Sequence, residues 1–149
     1  MKNPVEIATS LAIHYGHELE KPIIYTQGVA LSGRIRVQTA LGGADKTSKD
    51  IERIVSPYLI QPSSTFGVDD GTANYAGVCW ADELAEATGD RKYLQLIELA
   101  AQRFGPTLNE GPLDLDLRVE DIFFASTVLG RAFRSTGKTK YVDLLTEFL

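Results

Sequence analysis

Cysteine is nearly missing from this chain. Cys79 stands alone, so no disulfide can form within the 149 residues, and nothing argues for an oxidising compartment. Histidine is almost as scarce. His14 and His17 lie three apart, with Glu18 and Glu20 after them, but a zinc site needs a third ligand that the sequence does not place. Surface histidines are the simpler reading. Basic excess is also lacking: 15 Lys and Arg face 20 Asp and Glu, and the formal charge of −5 argues against a nucleic-acid partner. No apolar run approaches membrane-spanning length. The opening Met1-Lys2-Asn3-Pro4-Val5-Glu6 has no apolar core of a signal peptide. A cytoplasmic location without a membrane partner is the resulting expectation. No phosphate-binding glycine loop, nucleophile elbow or metal motif occurs, so neither cofactor nor metal is expected. Strand-type alternation is confined to Ile35-Arg36-Val37, too short to compete with its helical surroundings.

What the chain does have is a repeat. Thr88-Gly89-Asp90-Arg91-Lys92-Tyr93-Leu94 recurs as Thr136-Gly137-Lys138-Thr139-Lys140-Tyr141-Val142, an offset of 136 − 88 = 48. Thr, Gly, Lys and Tyr return in register. Glycine can end one helix in the left-handed region, and Asp90 or Thr139 can cap the next. After each turn an apolar stripe follows at i, i+3, i+4 and i+7: Tyr93, Leu96, Ile97, Ala100 and Tyr141, Leu144, Leu145, Phe148. A third stripe, Ile51, Ile54, Val55, Tyr58, has the same spacing. Thr47-Ser48-Lys49-Asp50 before it reads as a capping box. A period of about 45 to 48 residues suits an array of helical hairpins.

Asn3-Pro4 reads as a cap and first helical position, opening a helix to about His17. Further helices are expected over 26–41, 48–60, 72–87, 91–104, 119–135 and 139–148. The links after 26–41, 72–87 and 119–135 are tight, and the links before these three are longer. In an antiparallel array, alternate links lie at opposite ends, which gathers the long loops on one rim. The same three helices are apolar on more than one side, as Ile122, Phe123, Phe124, Val128, Leu129 and Phe133 illustrate. They should be inner helices, with the striped ones outside. The expected fold is all-α, a helical-hairpin array of 1–149.

Acidic groups collect at that rim. Asp69 and Asp70 end one long loop; Asp114, Asp116, Glu120 and Asp121 surround the end of the other. Converging carboxylates suit general acid/base chemistry, where one group holds a proton and another does not. Helix dipoles and capping favour acids at these positions as well. Calcium is a further option on oxygen ligands alone, but EF-hand spacing is missing. Arg34, Arg36 and Arg118 have two readings, holders of a substrate carboxylate and ordinary surface ion pairs. Trp80 also has two, a core aromatic and a platform for a sugar ring.

With these motifs in place, the chain resembles a family. An inner helix, a T-G-D-x-K-Y turn, an outer helix, a long loop and a further V-[DE]-D-[IL]-[FY] helix are similar to the unsaturated glucuronyl and rhamnogalacturonyl hydrolases of glycoside hydrolase families 88 and 105. Val5-Glu6-Ile7-Ala8 looks like that family's first helix, and Tyr25-Thr26-Gln27-Gly28-Val29-Ala30-Leu31-Ser32-Gly33 like its Y-x-x-G-V-x-L-x-G stretch. The likeness covers nearly the whole chain and about the first half of the family's six-hairpin, (α/α)6 domain. It implies hydration of a Δ4,5-unsaturated uronic acid: one carboxyl protonates the vinyl ether, water adds at the activated carbon, and the hemiketal opens. The family's W-x-D matches Arg118-Val119-Glu120, with Asp121 adjacent, and its second aspartate matches Asp69 or Asp70. A W-H pair of the family is replaced near Leu115-Asp116.

The resemblance implies Glu120, Asp121, Asp69 and Asp70 as catalytic candidates; Arg118, Trp80, Asp116 and Tyr25 are the substrate-binding candidates. An oligosaccharide is the expected partner. The alternative is a non-catalytic helical module that binds a sugar or a protein through the same rim. An incomplete ring would also leave apolar edges uncovered, which leads to the expectation of a homodimer.

Overall fold

The structure, a computed structural model, describes residues 3–105 and 119–147. The chain is an all-α helical-hairpin array, and among the described residues there is no strand. Its helices are α1 (Pro4–His14), α2 (Tyr25–Ala40), α3 (Ala44–Ile60), α4 (Thr72–Tyr75), α5 (Ala81–Thr88), α6 (Leu94–Ala101), α7 (Val119–Thr136) and α8 (Lys140–Glu147). Short 3-10 turns at Ala76–Val78 and Arg91–Tyr93 join α4 towards α5 and lead into α6.

The repeat turn forms twice by the same local means. Gly89 and Gly137 take φ of 73° and 70°, a region open to glycine at little steric cost. The preceding threonine closes each helix: Thr88 Oγ1 donates to Leu84 O, and Thr136 Oγ1 to Ala132 O, both at 2.7 Å. The same oxygens accept the amides of Asp90 and Lys138. Asp90 Oδ1 then accepts from Lys92 N at 3.0 Å and caps the next turn.

Two layers result. The inner row runs α2, then the α4–α5 segment, then α7. Outside it, α3 packs on α2 and α5, α6 on α5 and α7, and α8 on α7. Of the stripes read from the sequence, Ile51, Val55, Tyr58, Tyr93, Leu96, Ile97, Ala100 and Tyr141 are buried in one cluster with Leu31, Leu84 and Leu129, Ile54, Leu144 and Leu145 are partly buried against it, and Phe148 lies outside the described residues.

Tertiary packing changes four local expectations. The helix expected over 72–87 is broken, because here the inner row packs backbone against backbone. A Cβ on Gly28 would lie 2.3 Å from Gly77 O, and one on Gly77 would lie 2.2 Å from Ile23 Cγ2. Tight 3-10 turns at Ala76–Val78 accommodate that crossing. The capping box at Thr47–Asp50 does not form. The helix starts earlier, at Ala44, and Asp50 instead accepts from Arg34 Nη2 at 2.9 Å. Helix α1 opens with Asn3 and Glu6 capping each other, as its sequence indicates, but it ends at His14 rather than His17. Arg34 Nη1 reaches across to the Gly16 carbonyl at 2.5 Å and fixes the chain as it leaves. The outer helix expected from 91 starts with a 3-10 turn and ends at Ala101.

The inner row is also tied by charge. Arg131 of α7 is largely buried and sits against Asp82 and, at 3.1 Å, Glu83 of α5. Arg36 of α2 donates through Nε to Glu83 at 2.7 Å, Ser32 donates to the same carboxylate, and Arg134 reaches Asp82. One acidic pair thus binds all three inner elements. Burial works against the Arg131 charge, but Asp82 and Glu83 outweigh it and hold its pKa above the ordinary value. Charges withdrawn from water in this way cost energy unless each finds its partner.

Candidate functional site

Three contacts draw the N-terminal ends of the inner elements together; the last of the long loops expected at that rim lies outside the described residues. Asn74 Nδ2, one turn into α4, donates to Ile23 O at 2.6 Å, just before α2. The ring of Tyr25, the first residue of α2, tilts against Phe124 of α7 with centroids 4.7 Å apart. Thr72 Oγ1, at the start of α4, donates to Asp121 Oδ1 in the first turn of α7 at 2.6 Å. Both of those side chains are buried.

The loop leading to α4 is built from its own residues. Asp70 Oδ2 accepts from Gly67 N at 2.7 Å, and Asn74 Oδ1 accepts from Gly71 N at 3.1 Å. Phe66 anchors the loop edge-on against Tyr75, at 5.0 Å between centroids. Burial raises the Tyr75 phenol above its usual range; Arg103 pulls it down and Asp70 pushes it up.

The four candidate carboxylates therefore differ in setting. Asp121 is buried and hydrogen-bonded, and Asp70 holds a turn. Glu120 and Asp69 are exposed at the helix start and in the loop. A proton donor must touch its substrate, so exposure suits Glu120 and Asp69, whereas Asp121 and Asp70 serve as fixed struts beneath them. Arg118, Asp114 and Asp116 lie outside the described residues.

Trp80 requires a correction. Its side chain is 0% exposed and packs edge-on to Tyr93, so neither ring face is open to a sugar. The single tryptophan is a core residue. Tyr25 is only partly buried and stands at the rim. Arg34 and Arg36 are engaged in ion pairs with Asp50 and Glu83. In the case of Asp50, the Arg34 hydrogen bond lowers the carboxyl pKa, against a smaller opposing effect of burial. His17 Nε2 lies 3.2 Å from Ala12 O. Among the described residues, no three His, Cys, Asp or Glu side chains gather as a metal site.

Two features have little sign in the sequence. One is the Arg131 pairing: nothing local marks which of the arginines meets Asp82-Glu83. The other is an apolar cleft of about 550 Å3 between α1 and α2, lined by Leu11, Tyr15, Val29 and Val37 among others. None of Asp69, Asp70, Glu120 and Asp121 lines it. No helix among the described residues is long and apolar enough to cross a membrane. No protein-family model, no curated protein and no solved structure matches the chain.

Proposed function

We propose that the chain is a relative of the unsaturated uronyl hydrolases, equivalent to about half of their (α/α)6 barrel, and that its rim hydrates the sugar double bond with Glu120 as acid and base. The supporting observation is the Thr72–Asp121 hydrogen bond. It locks the first turns of two inner elements together and leaves the neighbouring Glu120 exposed at the helix start. Glu120 is also the residue in register with the family's W-x-D carboxylate. In this reading its carboxylic acid gives a proton to the vinyl ether carbon. Water adds at the adjacent activated carbon, its proton returns to the carboxylate, and the hemiketal opens. Asp69 assists from the loop and Tyr25 lines the rim; Arg118 and Asp116 are the further substrate-binding residues of this reading.

The test is loss of the double-bond absorbance of an unsaturated uronyl oligosaccharide. Glu120→Gln keeps the shape and removes the titrating proton, so activity should vanish while stability changes little. An active Glu120→Gln protein would overturn that role. The second reading is a non-catalytic module binding a sugar or a protein at the rim; the burial of Trp80, which removes one expected sugar platform, bears on either reading's sugar site. Absence of turnover on every uronyl substrate, with retained sugar binding, would select it.

A further inference from the structure

The cleft between α1 and α2 has two walls from one chain. Ala8, Leu11, Ala12 and Tyr15 of α1, spaced i, i+3, i+4 and i+7, form one wall. Residues of α2 from Thr26 to Val37 form the other. Small side chains at Ala12, Ala30 and Gly33 would let the two helices close on each other. Instead α1 has no buried residue, and about 550 Å3 stays open between the walls. The chain is pinned to α2 just past the cleft. A Cβ on Gly16 would lie 2.6 Å from Ala30 O, and Arg34 Nη1 holds the Gly16 carbonyl.

Size and lining select the occupant. From Thr26 to Val37 the cleft follows α2 for about 16 Å. A helix about 10 Å across, laid along that length, occupies on the order of 1,300 Å3, more than twice the space. Small-molecule sites span roughly 300–1,000 Å3. The walls are apolar, and the guanidinium of Arg34 is engaged with Gly16 O and Asp50 Oδ2. At the Tyr15–Thr26 end the lining turns polar. Tyr15, Thr26 and Ala30 also line an adjoining pocket of about 420 Å3, together with His14, Glu18 and Gln27. Gln27 Oε1 accepts from Glu20 N at 3.0 Å, which leaves its amide N–H groups to donate. Glu18 offers an acceptor and a negative charge.

We propose that the cleft takes the hydrocarbon chain of a single-chain amphiphile, and the adjoining pocket its uncharged, hydroxyl-bearing head. Hydroxyls both donate and accept, which matches Glu18 and Gln27, whereas a carboxylate head would face the Glu18 charge. None of Asp69, Asp70, Glu120 and Asp121 lines either space, so this site is separate from the rim and does not rest on the proposed hydration.

Titration calorimetry of the full chain with monodecanoylglycerol, kept below its micelle-forming concentration, tests the assignment. Binding should saturate at one molecule per chain, with a negative heat-capacity change from burial of the acyl chain. Gly33→Leu is the blocking variant. A Cβ on Gly33 meets nothing within 4 Å, so the new side chain enters the cleft without displacing backbone. It should weaken binding by more than about tenfold. Ala12→Phe blocks from the opposite wall and serves if Gly33→Leu does not fold. Decanoate, with the same chain length, should bind more weakly than the glyceride, and Glu18→Lys should reverse that order. The proposal is overturned by an unsubstituted chain that does not bind the glyceride, or by binding that survives both blocking variants. Equal binding of decanoate and glyceride, or an order that Glu18→Lys leaves as it was, would overturn it too.

Discussion

Tyr93 and Tyr141 occupy the same place in the two copies of the repeat, yet only Tyr93 has a hydrogen-bond partner for its buried hydroxyl. Tyr93 Oη donates to Glu52 Oε1 of α3 at 2.7 Å, while the Tyr141 hydroxyl is buried without one. Register explains the difference. Aligning Ile51, Ile54 and Val55 of α3 with Tyr93, Leu96 and Ile97 puts Leu94 where α3 has Glu52. The acceptor is absent from the second copy.

Phenylalanine substitution should therefore act oppositely at the two sites. Tyr93→Phe loses a bond to a carboxylate and should cost about 1.5–3 kcal/mol. Tyr141→Phe removes an unsatisfied hydroxyl and should be neutral or stabilising by about 1 kcal/mol. Urea unfolding of both variants measures the contrast; equal costs would refute the register argument.

The same tyrosine gives an alkaline limit. Burial first, and the Glu52 hydrogen bond second, push the Tyr93 pKa from 10.0 up to about 12. The folded state keeps this proton where the unfolded state releases it. Stability from this group is whole below about pH 10 and should fall as pH rises towards 12. Tyr93→Phe should flatten that part of the stability profile.

Arg131→Leu should cost about 1–3 kcal/mol, because it removes the one partner that the largely buried Asp82 and Glu83 share and leaves them to Arg134, Arg36 and Ser32. Arg36→Leu, at the mostly exposed end of the same network, should cost no more than about 1 kcal/mol. Thermal or urea unfolding distinguishes the two, and similar costs would mean that burial does not set the energetics of this network.

At the rim, Thr72→Val removes the hydroxyl that Asp121 accepts from and leaves the methyl packing in place. A loss of about 1.5–3 kcal/mol is expected. Glu120→Gln, on an exposed side chain, should stay within about 0.5 kcal/mol. A costly Glu120→Gln would show that Glu120, rather than Asp121, is the strut.

Cys79 should be inert in the native protein. It is 3% exposed, and burial pushes its thiol up to about 12, so almost no thiolate forms at neutral pH. A thiol reagent should label it only at the rate of unfolding. Fast labelling of the folded protein would contradict this packing.

The hairpin turns were legible residue by residue, because a threonine and a positive-φ glycine act next to one another in both, with an aspartate cap added in the first. The outer stripes were legible for a related reason: 3.6-residue periodicity is written along one helix. The rim followed from loop lengths, since chain direction must alternate in an antiparallel array. Contacts between distant segments were not legible. The break at Ala76–Val78 comes from Gly28 meeting Gly77, a crossing no local pattern marks. Trp80 could be read as core or as platform until its neighbours were known, and burial made it core. Glu120 and Asp121 are adjacent acids at a helix start, alike in local chemistry. Thr72, 49 residues from Asp121, helps to separate them, tying one into the protein while the other faces solvent. Periodicity and capping are properties of one short stretch, whereas burial and pairing belong to two stretches at once, so the chain dictates the former and the packed fold decides the latter.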